Sequence, residues 1–565
     1  MSSTIASLPS DQVDLADLAL RYPKTVEAFS AMPAGDRALR AVTALEKKWI
    51  ALNSGAEHPE PFAYVSSPAS LPPYPPENSF DVIIAGGSLG LIAGVALARR
   101  GLRVMLFDRD RAGAAHREWN ISERELFSLQ RWGIFTNDEL ASTIATRYER
   151  GLIAFHAEGT GVPYCPLTTN GVLDVALDAQ SVLDLARERF VQAGGIVLEG
   201  YSFKKLHLSR SAPSSHKGVQ SVIELDGPSG TTTYAARLVI DTMGSVSPIA
   251  MGLNDGLPFD GVCPTAGTIL EGLEGNKEVG DVLVSVASMQ DQRQLIWEGF
   301  PGRAGETTVY LFYYDRTGAE QAQKQSLLAL FEQYFTLLPT YRPLQPGVRH
   351  LKPVFGYIPA RHGRTGRTAA RGLICLGDSA AGQSPLTFCG FGSFVRHIGR
   401  VSHLLSYALK HDLLGEKHLR TISPHQANLR VAWVFSRFMQ PQPGDASSVN
   451  RLMNIFARAL DEIGPDTTAR FLQDRYTFRE YIQIMLTTAR LHPGVVSFTA
   501  RVLGARGLAS WMGDIAYFAG ASALCSVLTV LGPVRWRRLE RTVLRVSPAL
   551  ALRLISLRTA WQALN

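Results

Sequence analysis

The sequence predicts a mixed α/β chain: a parallel sheet wound with helices, a second β-sheet inserted into it, and a helical C-terminal region. Three observations predict this. Asp81 to Asp108 reads as strand, glycine-rich turn, helix and strand. Between Ile196 and Asp315 short apolar runs alternate with Gly- and Pro-containing turns, and from Gly399 onward the apolar spacing is mostly helical.

With 565 residues, the chain has room for two or three domains with substantial cores. Residues 1–56 are expected to form an N-terminal helical segment, two helices split at Pro33-Ala34-Gly35. Leu18, Leu20 and Val26 lie before the break, and Leu39, Val42, Leu45 and Ile50 after it. Residues 57–80 hold seven prolines and are expected to act as a stiff linker. A nucleotide-binding domain is assigned to 81–400, with the inserted sheet at about 255–360. Within it a helix is expected over 176–190 and a β-meander over 201–208, 219–225 and 231–240. The second sheet takes strands near 265–270, 281–288, 292–300 and 307–315. Residues 401–565 form the helical C-terminal region.

Spacing sets the register of the first turn, Ala85-Gly86-Gly87-Ser88-Leu89-Gly90. Gly90 stands eleven residues before Gly101 and eighteen before Asp108. That suits Gly90 as the third glycine of G-x-G-x-x-G and Asp108 as the acid that holds a ribose. In this motif the first glycine allows the tight turn, the second lets the backbone approach a pyrophosphate, and the third lets helix pack on strand. Ala85 then stands where the first glycine is usual, which a negative φ would permit. Gly94 supplies a further small residue one turn into the helix.

Two more strand-end turns follow. Asp241-Thr-Met-Gly244 closes one buried strand, where acid and amides could meet a pyrophosphate or ribose. Leu373-Ile-Cys-Leu-Gly377-Asp378 closes another and runs through Pro385 to Gly390-Phe391-Gly392, where a helix begins. An acid there suits a ribityl hydroxyl, and the Gly390–Gly392 amides suit the O2 edge of a flavin ring.

In this order the three turns resemble the FAD-binding, Rossmann-type class of aromatic hydroxylases, geranylgeranyl reductases and lycopene cyclases. Arg117-Glu118-Trp119-Asn120-Ile121-Ser122 further resembles the R-E-W-N-I-S segment of the CruA/CruP lycopene cyclase group, closest to the CruP-like branch of oxygenic phototrophs. The likeness extends from about Phe80 to the C-terminus through Trp297-Glu298-Gly-Phe-Pro301, Gln383-Ser-Pro-Leu-Thr-Phe388, Arg396-His397 and Ile422-Ser-Pro-His-Gln-Ala-Asn-Leu429.

The resemblance implies FAD, reduced by NAD(P)H or another donor, with Arg117 and Asn120 near the flavin or its phosphates. It implies a non-redox cyclisation of one end of a C40 polyene, in which an acid protonates a terminal olefin and the carbocation closes a ring. Such an acid must be kept protonated by apolar surroundings and faced by aromatic rings. Glu298, between Trp297 and Phe300, is the first candidate, and Asp315, after Tyr310-Leu-Phe-Tyr-Tyr314, the second. The acidic pair that plant- and bacterial-type cyclases carry in an F-L-E-E-T segment has no counterpart in Leu311–Asp315. A prenyl or carotenoid reductase, a flavin monooxygenase, and a non-catalytic carotenoid- or flavin-binding protein are the competing readings.

Charge directs the partner assignment. The net charge is +7, of which seven arginines and one acid between Leu531 and Asn565 supply +6. The body is therefore nearly neutral, against a nucleic-acid binder. Ile515 to Val534 is twenty residues without formal charge. With the basic tail it predicts membrane association over 515–565, an in-plane or re-entrant contact in preference to a crossing. The resemblance would place this at the cytoplasmic side or at a thylakoid or plastid membrane. Five scattered cysteines without C-x-x-C, and histidines without H-x-x-x-H, predict no disulfide framework and no metal.

Overall fold

The strand–turn–helix–strand unit forms as Ser79–Ala85, Leu89–Ala98 and Val104–Asp108. The computed structural model describes residues 15–563 apart from 116–118, 276, 364–365, 383, 385, 387–389, 423–426 and 531. The parallel strands are ordered Ile196–Glu199, Val104–Asp108, Ser79–Ala85, Gly230–Asp241, Leu373–Cys375. The chain winds outward on one side of Ser79–Ala85 and then continues on the other. The order therefore reverses beside that strand, and a ligand crevice is expected off the carboxyl ends at such a switch point. Near-continuous apolar strands suit a sheet buried on both faces. Helices Leu89–Ala98, Ala179–Gln192 and Gly390–Lys410 share one core with one of those faces.

The expected meander forms as Ser202–Ser209, Ser221–Gly227 and Gly230–Asp241, all antiparallel neighbours. Residues 57–80 do more than link. Phe62–Val65 pairs in parallel with Leu206–Ser209 and adds an edge strand, on which proline-flanked chain is tolerated.

The second sheet runs Leu344–Ala360, Gly261–Leu273, Thr307–Phe312, Ile296–Pro301, Val279–Val284, Arg150–Ala154, Leu167–Asn170. Leu344–Ala360 is a strand to which the sequence reading assigned no element; it carries Pro346, Pro353, Pro359 and two glycines. It pairs only with Gly261–Leu273, and an edge position accepts prolines.

The N-terminal segment forms three helices, Leu15–Arg21, Pro23–Ala31 and Gly35–Asn53, one more than the sequence suggests. They cover one face of this second sheet. Trp49 stacks on Tyr357 with centroids 4.3 Å apart, and Phe29 meets Phe331 edge-on at 5.0 Å. Trp49 Nε1 and Asn53 Nδ2 both donate to Gln325 Oε1 at 3.0 Å. The opposite face packs on C-terminal helices through Phe312, Tyr314, Trp433, Phe456 and Tyr476. The C-terminal region is helical as expected, ending in Gly494–Val530, Gly532–Val546 and Pro548–Gln562.

Candidate functional site

Register aligns the carboxyl ends of four parallel strands, with Phe107 beside Ala85, Ala85 beside Asp241 and Asp241 beside Cys375. All three glycine turns therefore leave the sheet at one level. In the first, Ala85 stays out of the left-handed region and Gly86 enters it (φ +99°). A Cβ on Gly86 would lie 2.8 Å from Thr242 O, and one on Gly87 2.7 Å from Ala112 Cα. A Cβ on Gly90 would meet Thr242 Oγ1 at 2.7 Å and Ile84 Cγ2 at 2.9 Å. Gly90 is thus the close-packing glycine, as spacing predicts. Ser88 precedes the helix without capping it by its side chain, so the first amides of Leu89–Ala98 have no side-chain acceptor there. Asp108 accepts Gly87 N–H at 2.7 Å and Asp110 N–H at 3.0 Å. Burial pushes its carboxyl up, against those two bonds.

The second and third turns are joined by Asp241. Its carboxylate accepts Ser247 Oγ at 2.6 Å and Met243 N–H at 3.0 Å, with Cys375 Sγ at 3.7 Å. Ser379 Oγ donates to Asp241 O at 2.8 Å. Burial pushes the carboxyl up to about 6. This acid, expected to meet a ribose or pyrophosphate, is turned inward and clasps the two loops. Gly244 has φ +87° and open space where a Cβ would sit. Gly377 has φ +68° with Leu89 close by, and Asp378 stands half-buried in the single turn Gly377–Ala380. Arg117 and Pro385 lie outside the described residues.

Gly390-Phe391-Gly392 opens its helix against the R-E-W-N-I-S segment. The Phe391 and Trp119 rings lie 4.3 Å apart, and a Cβ on Gly392 would fall 2.6 Å from Glu125 Oε2. Asn120 Oδ1 accepts from Tyr148 Oη at 3.3 Å.

Behind this contact is a buried charged cluster, of which the sequence singled out only Ser122 and Arg396-His397. Arg396 donates to Glu125 and, at 2.6 Å, to Gln473 O. Gln473 Nε2 donates to Ser122 Oγ at 3.1 Å. Asp474, wholly buried next to Gln473, is pushed up to about 7 by burial, with Arg396 opposing the rise. Arg396 thus faces Glu125 and the C-terminal region. His397 is wholly buried, and burial, then Arg396 and Arg400, pulls its imidazole well down, leaving it neutral. Glu125, Gln473 and Asp474 are the members that sequence reasoning missed, and their signal was polar residues inside apolar helical stretches.

The second sheet places the two candidate acids on opposite faces. Ile296 and Phe300 face the C-terminal helices while Trp297 faces the N-terminal ones, so alternation puts Glu298 with the former. Glu298 pairs across the strands with Tyr310. On that face Tyr314 Oη donates to Leu386 O of the third turn at 3.1 Å. Burial, then Cys263 and Glu298, pushes the Tyr314 phenol well up, and burial, then Glu298 and Asp315, does the same to the Cys263 thiol. Asp315 accepts Arg316 N–H at 2.7 Å and Gln325 Nε2 at 2.9 Å, and Gln325 ties it to Trp49.

No protein-family model matches the chain, and no curated protein does so. Solved structures do. A geranylgeranyl bacteriochlorophyll reductase-like protein of Thermoplasma acidophilum aligns with a TM-score of 0.55 at 14% identity, over 75% of this chain and 99% of its own. The halogenase PltM aligns with a TM-score of 0.51 at 15% identity, over 84% and 94%. Its complex with phloroglucinol and FAD gives 0.50 at 14%, over 70% and 82%. At such identities the likeness is one of fold: the chain shares the mixed α/β architecture of these proteins, with a Rossmann-type sheet and a helical C-terminal region.

Proposed function

We propose that the chain is an FAD-dependent, lycopene cyclase-like enzyme acting on one end of a long apolar polyene. The cradle fits the cofactor. Gly86 and Gly87 leave no room for a Cβ, Gly244 leaves open space, and the Leu89–Ala98 helix start offers amides to a pyrophosphate. On this reading Asp108 holds the ribose, the Thr242–Gly244 backbone the pyrophosphate, Asp378 the ribityl chain, and the Gly390–Gly392 amides the ring edge. Arg117, Asn120 and Pro385 are the further residues this reading assigns to the cofactor. When bound and reduced, by NAD(P)H or another donor, FAD supplies an electron-rich ring that stabilises positive charge on the substrate.

The observation that carries the reading is the placement of Glu298. It shares a sheet face with Phe300, Tyr310, Phe312 and Tyr314, and Tyr314 bonds that face to the third glycine turn. Glu298 then holds the proton and delivers it to a terminal olefin carbon, and the aromatic faces stabilise the cation. Ring closure consumes a neighbouring double bond, and loss of a proton restores the alkene, so no net oxidant is needed. Asp315, tied to Gln325, serves the packing of the N-terminal helices. A substrate of this class resides in a bilayer, so the protein is expected to work at a membrane surface.

The test is expression in cells that accumulate lycopene, with pigment analysis and an absorption spectrum of the purified protein. Cyclised product that disappears in Glu298→Gln, with the flavin spectrum kept, is the expected outcome. Unchanged product in Glu298→Gln removes this acid. The reductase-like neighbour favours a second reading, a prenyl reductase, which would consume reductant in proportion to product, whereas a cyclase needs only enough to keep the flavin reduced. Oxygen-dependent turnover would mark a monooxygenase, and bound pigment without turnover a binding protein.

A further inference from the structure

The helix Gly494–Val530 has a mean hydropathy of 1.4 over its most apolar stretch, and only 11% of that stretch is buried. It breaks at Gly504 (φ +62°), and beyond the break its two faces differ. The inner face is bonded to the body. Asp514 pairs with Arg430 at 3.1 Å and accepts Trp433 Nε1 at 3.1 Å. Phe518 packs on Phe478 with centroids 5.4 Å apart, and Cys525 is buried further along. The outer face carries Met512, Tyr517, Leu524, Val527 and Val530, each roughly half exposed or more, and no charge from Ile515 onward. Leu524, Val527 and Val530 recur at helical spacing, a stripe about 9 Å long at 1.5 Å per residue, and Tyr517 at its near end lies under Arg430 at 4.4 Å.

The next helix, Gly532–Val546, supplies the charge. Arg535, Arg537, Arg538, Arg541 and Arg545 are all exposed. Its one acid, Glu540, is taken by Arg558 at 2.6 Å. Pro548–Gln562 then returns to the nucleotide-binding domain. Arg400 Nη2 donates to Ser556 Oγ at 2.8 Å, and Tyr407 Oη donates to Pro548 O at 3.1 Å. The chain is therefore bonded to one body both before and after the apolar stretch.

We propose that this surface docks in plane on an anionic phospholipid leaflet, its uncharged stripe entering the acyl boundary and its arginines lying on the headgroups. A crossing is ruled out by connectivity: Asp514 and Ser556 would have to lie on opposite sides while both are bonded to the same folded body. A soluble partner protein would cover the stripe equally well, but five exposed arginines flanking it, without an acidic partner among the described residues, call for a surface dense in negative charge. The inference deepens the reading of a bilayer-borne substrate, yet stands on observations of its own.

The experiment is co-sedimentation of the full-length protein with sealed vesicles of pure phosphatidylcholine or of phosphatidylcholine mixed with phosphatidylglycerol. Binding is expected to the mixed vesicles and to weaken with salt. Arg537→Gln, Arg538→Gln and Arg541→Gln together should lower partitioning about a hundredfold, at roughly fivefold per charge. Leu524→Ser with Val527→Ser should weaken binding at all salt concentrations by roughly tenfold or more. Circular dichroism shows whether each variant keeps its helices. Cysteines introduced singly as Arg506→Cys and Arg553→Cys, the latter on the helix that returns to the body, should both react with an impermeant maleimide added outside docked vesicles. Protection of only one of them, or equal affinity for both vesicle types in wild type and the arginine variant, overturns the proposal. Flavin absorbance read on the same samples separates the two readings: a docking protein without flavin sinks the enzyme reading alone, and a flavoprotein indifferent to anionic vesicles sinks the docking alone.

Discussion

Gly90→Ala tests the register of the first turn more sharply than any charge substitution. The added methyl would sit 2.7 Å from Thr242 Oγ1, 2.9 Å from Ile84 Cγ2 and 3.3 Å from Leu106 Cδ1. Relaxed carbon contacts lie at about 3.5–4.0 Å, so the helix must lift from the sheet by several tenths of an ångström or Thr242 must turn away. Thr242 Oγ1 is bonded to Ala85 O at 2.8 Å and Gly86 O at 2.9 Å, so turning it away breaks the contact between the first two turns. Overpacking of this kind costs about 1–3 kcal/mol, a fall of several degrees or less in the melting temperature of a chain this size. Either response displaces the helix amides proposed to hold the pyrophosphate, so flavin retention should fall by about tenfold or more. Gly94→Ala is the control. Its methyl would lie 2.9 Å from the Phe190 ring, against another helix and away from the crevice. It should lower the melting temperature comparably and leave flavin content alone. The assay is the ratio of flavin to protein absorbance after purification, beside a thermal melt. Gly90→Ala with wild-type flavin and wild-type melting would refute the register.

Two further outcomes follow from buried carboxylates. Burial lifts Asp241 from its ordinary 3.8 to about 6, so the folded chain holds this proton more tightly than the unfolded one. Its contribution to stability is full below about pH 4 and is lost as pH rises through 6, on the order of 3 kcal/mol. Relative to Asp241→Asn, wild type should therefore melt lower at pH 7 than at pH 4, and a constant difference between the two would count against it. Arg396→Ala leaves Glu125 buried without its partner, and breaking such a pair costs about 3–5 kcal/mol. Glu125→Gln/Arg396→Met, which removes both charges, should recover much of that loss in thermal melts, and no recovery would mean the pair is not what holds this contact.

What was legible in the sequence was local. Gly90, Gly101 and Asp108 set the first turn by spacing alone, and the close contacts at Gly90 are what that spacing implies. The inward turn of Asp241 was legible only in part: Ser247 and Met243, which hold its carboxylate, stand in its own turn, but Cys375 closes on it from a strand 134 residues later. The Glu125–Arg396 pair joins positions 271 residues apart, and nothing near either one signals the other. The proline-bearing strand Leu344–Ala360, to which no element was assigned, is hidden for a different reason: prolines bar only central positions, and its edge position is a property of the assembled sheet. The N-terminal helices showed an amphipathic pattern, but a pattern names a buried face without naming what it is buried against.

The second sheet carries this limit into the chemistry. Both its faces are covered, one by the N-terminal helices with Val246 and Ala381 of the glycine turns, the other by Leu386 and the C-terminal helices, so both strand faces are apolar. Hydrophobic alternation then separates Tyr310, Phe312 and Tyr314 from Leu311, Tyr313 and Asp315 but cannot say which set meets the crevice. Among the described residues, a bond from the Glu298 face reaches the third turn, Tyr314 Oη to Leu386 O. Once that bond is fixed, the period of two assigns every residue on the strand, and on the neighbouring strand as well through the pairing of Glu298 with Tyr310. Glu298 and Asp315 were equivalent as strand-end acids beside aromatic residues. They differ because one phenol reaches the third turn, and a one-residue slip in that strand would exchange their roles.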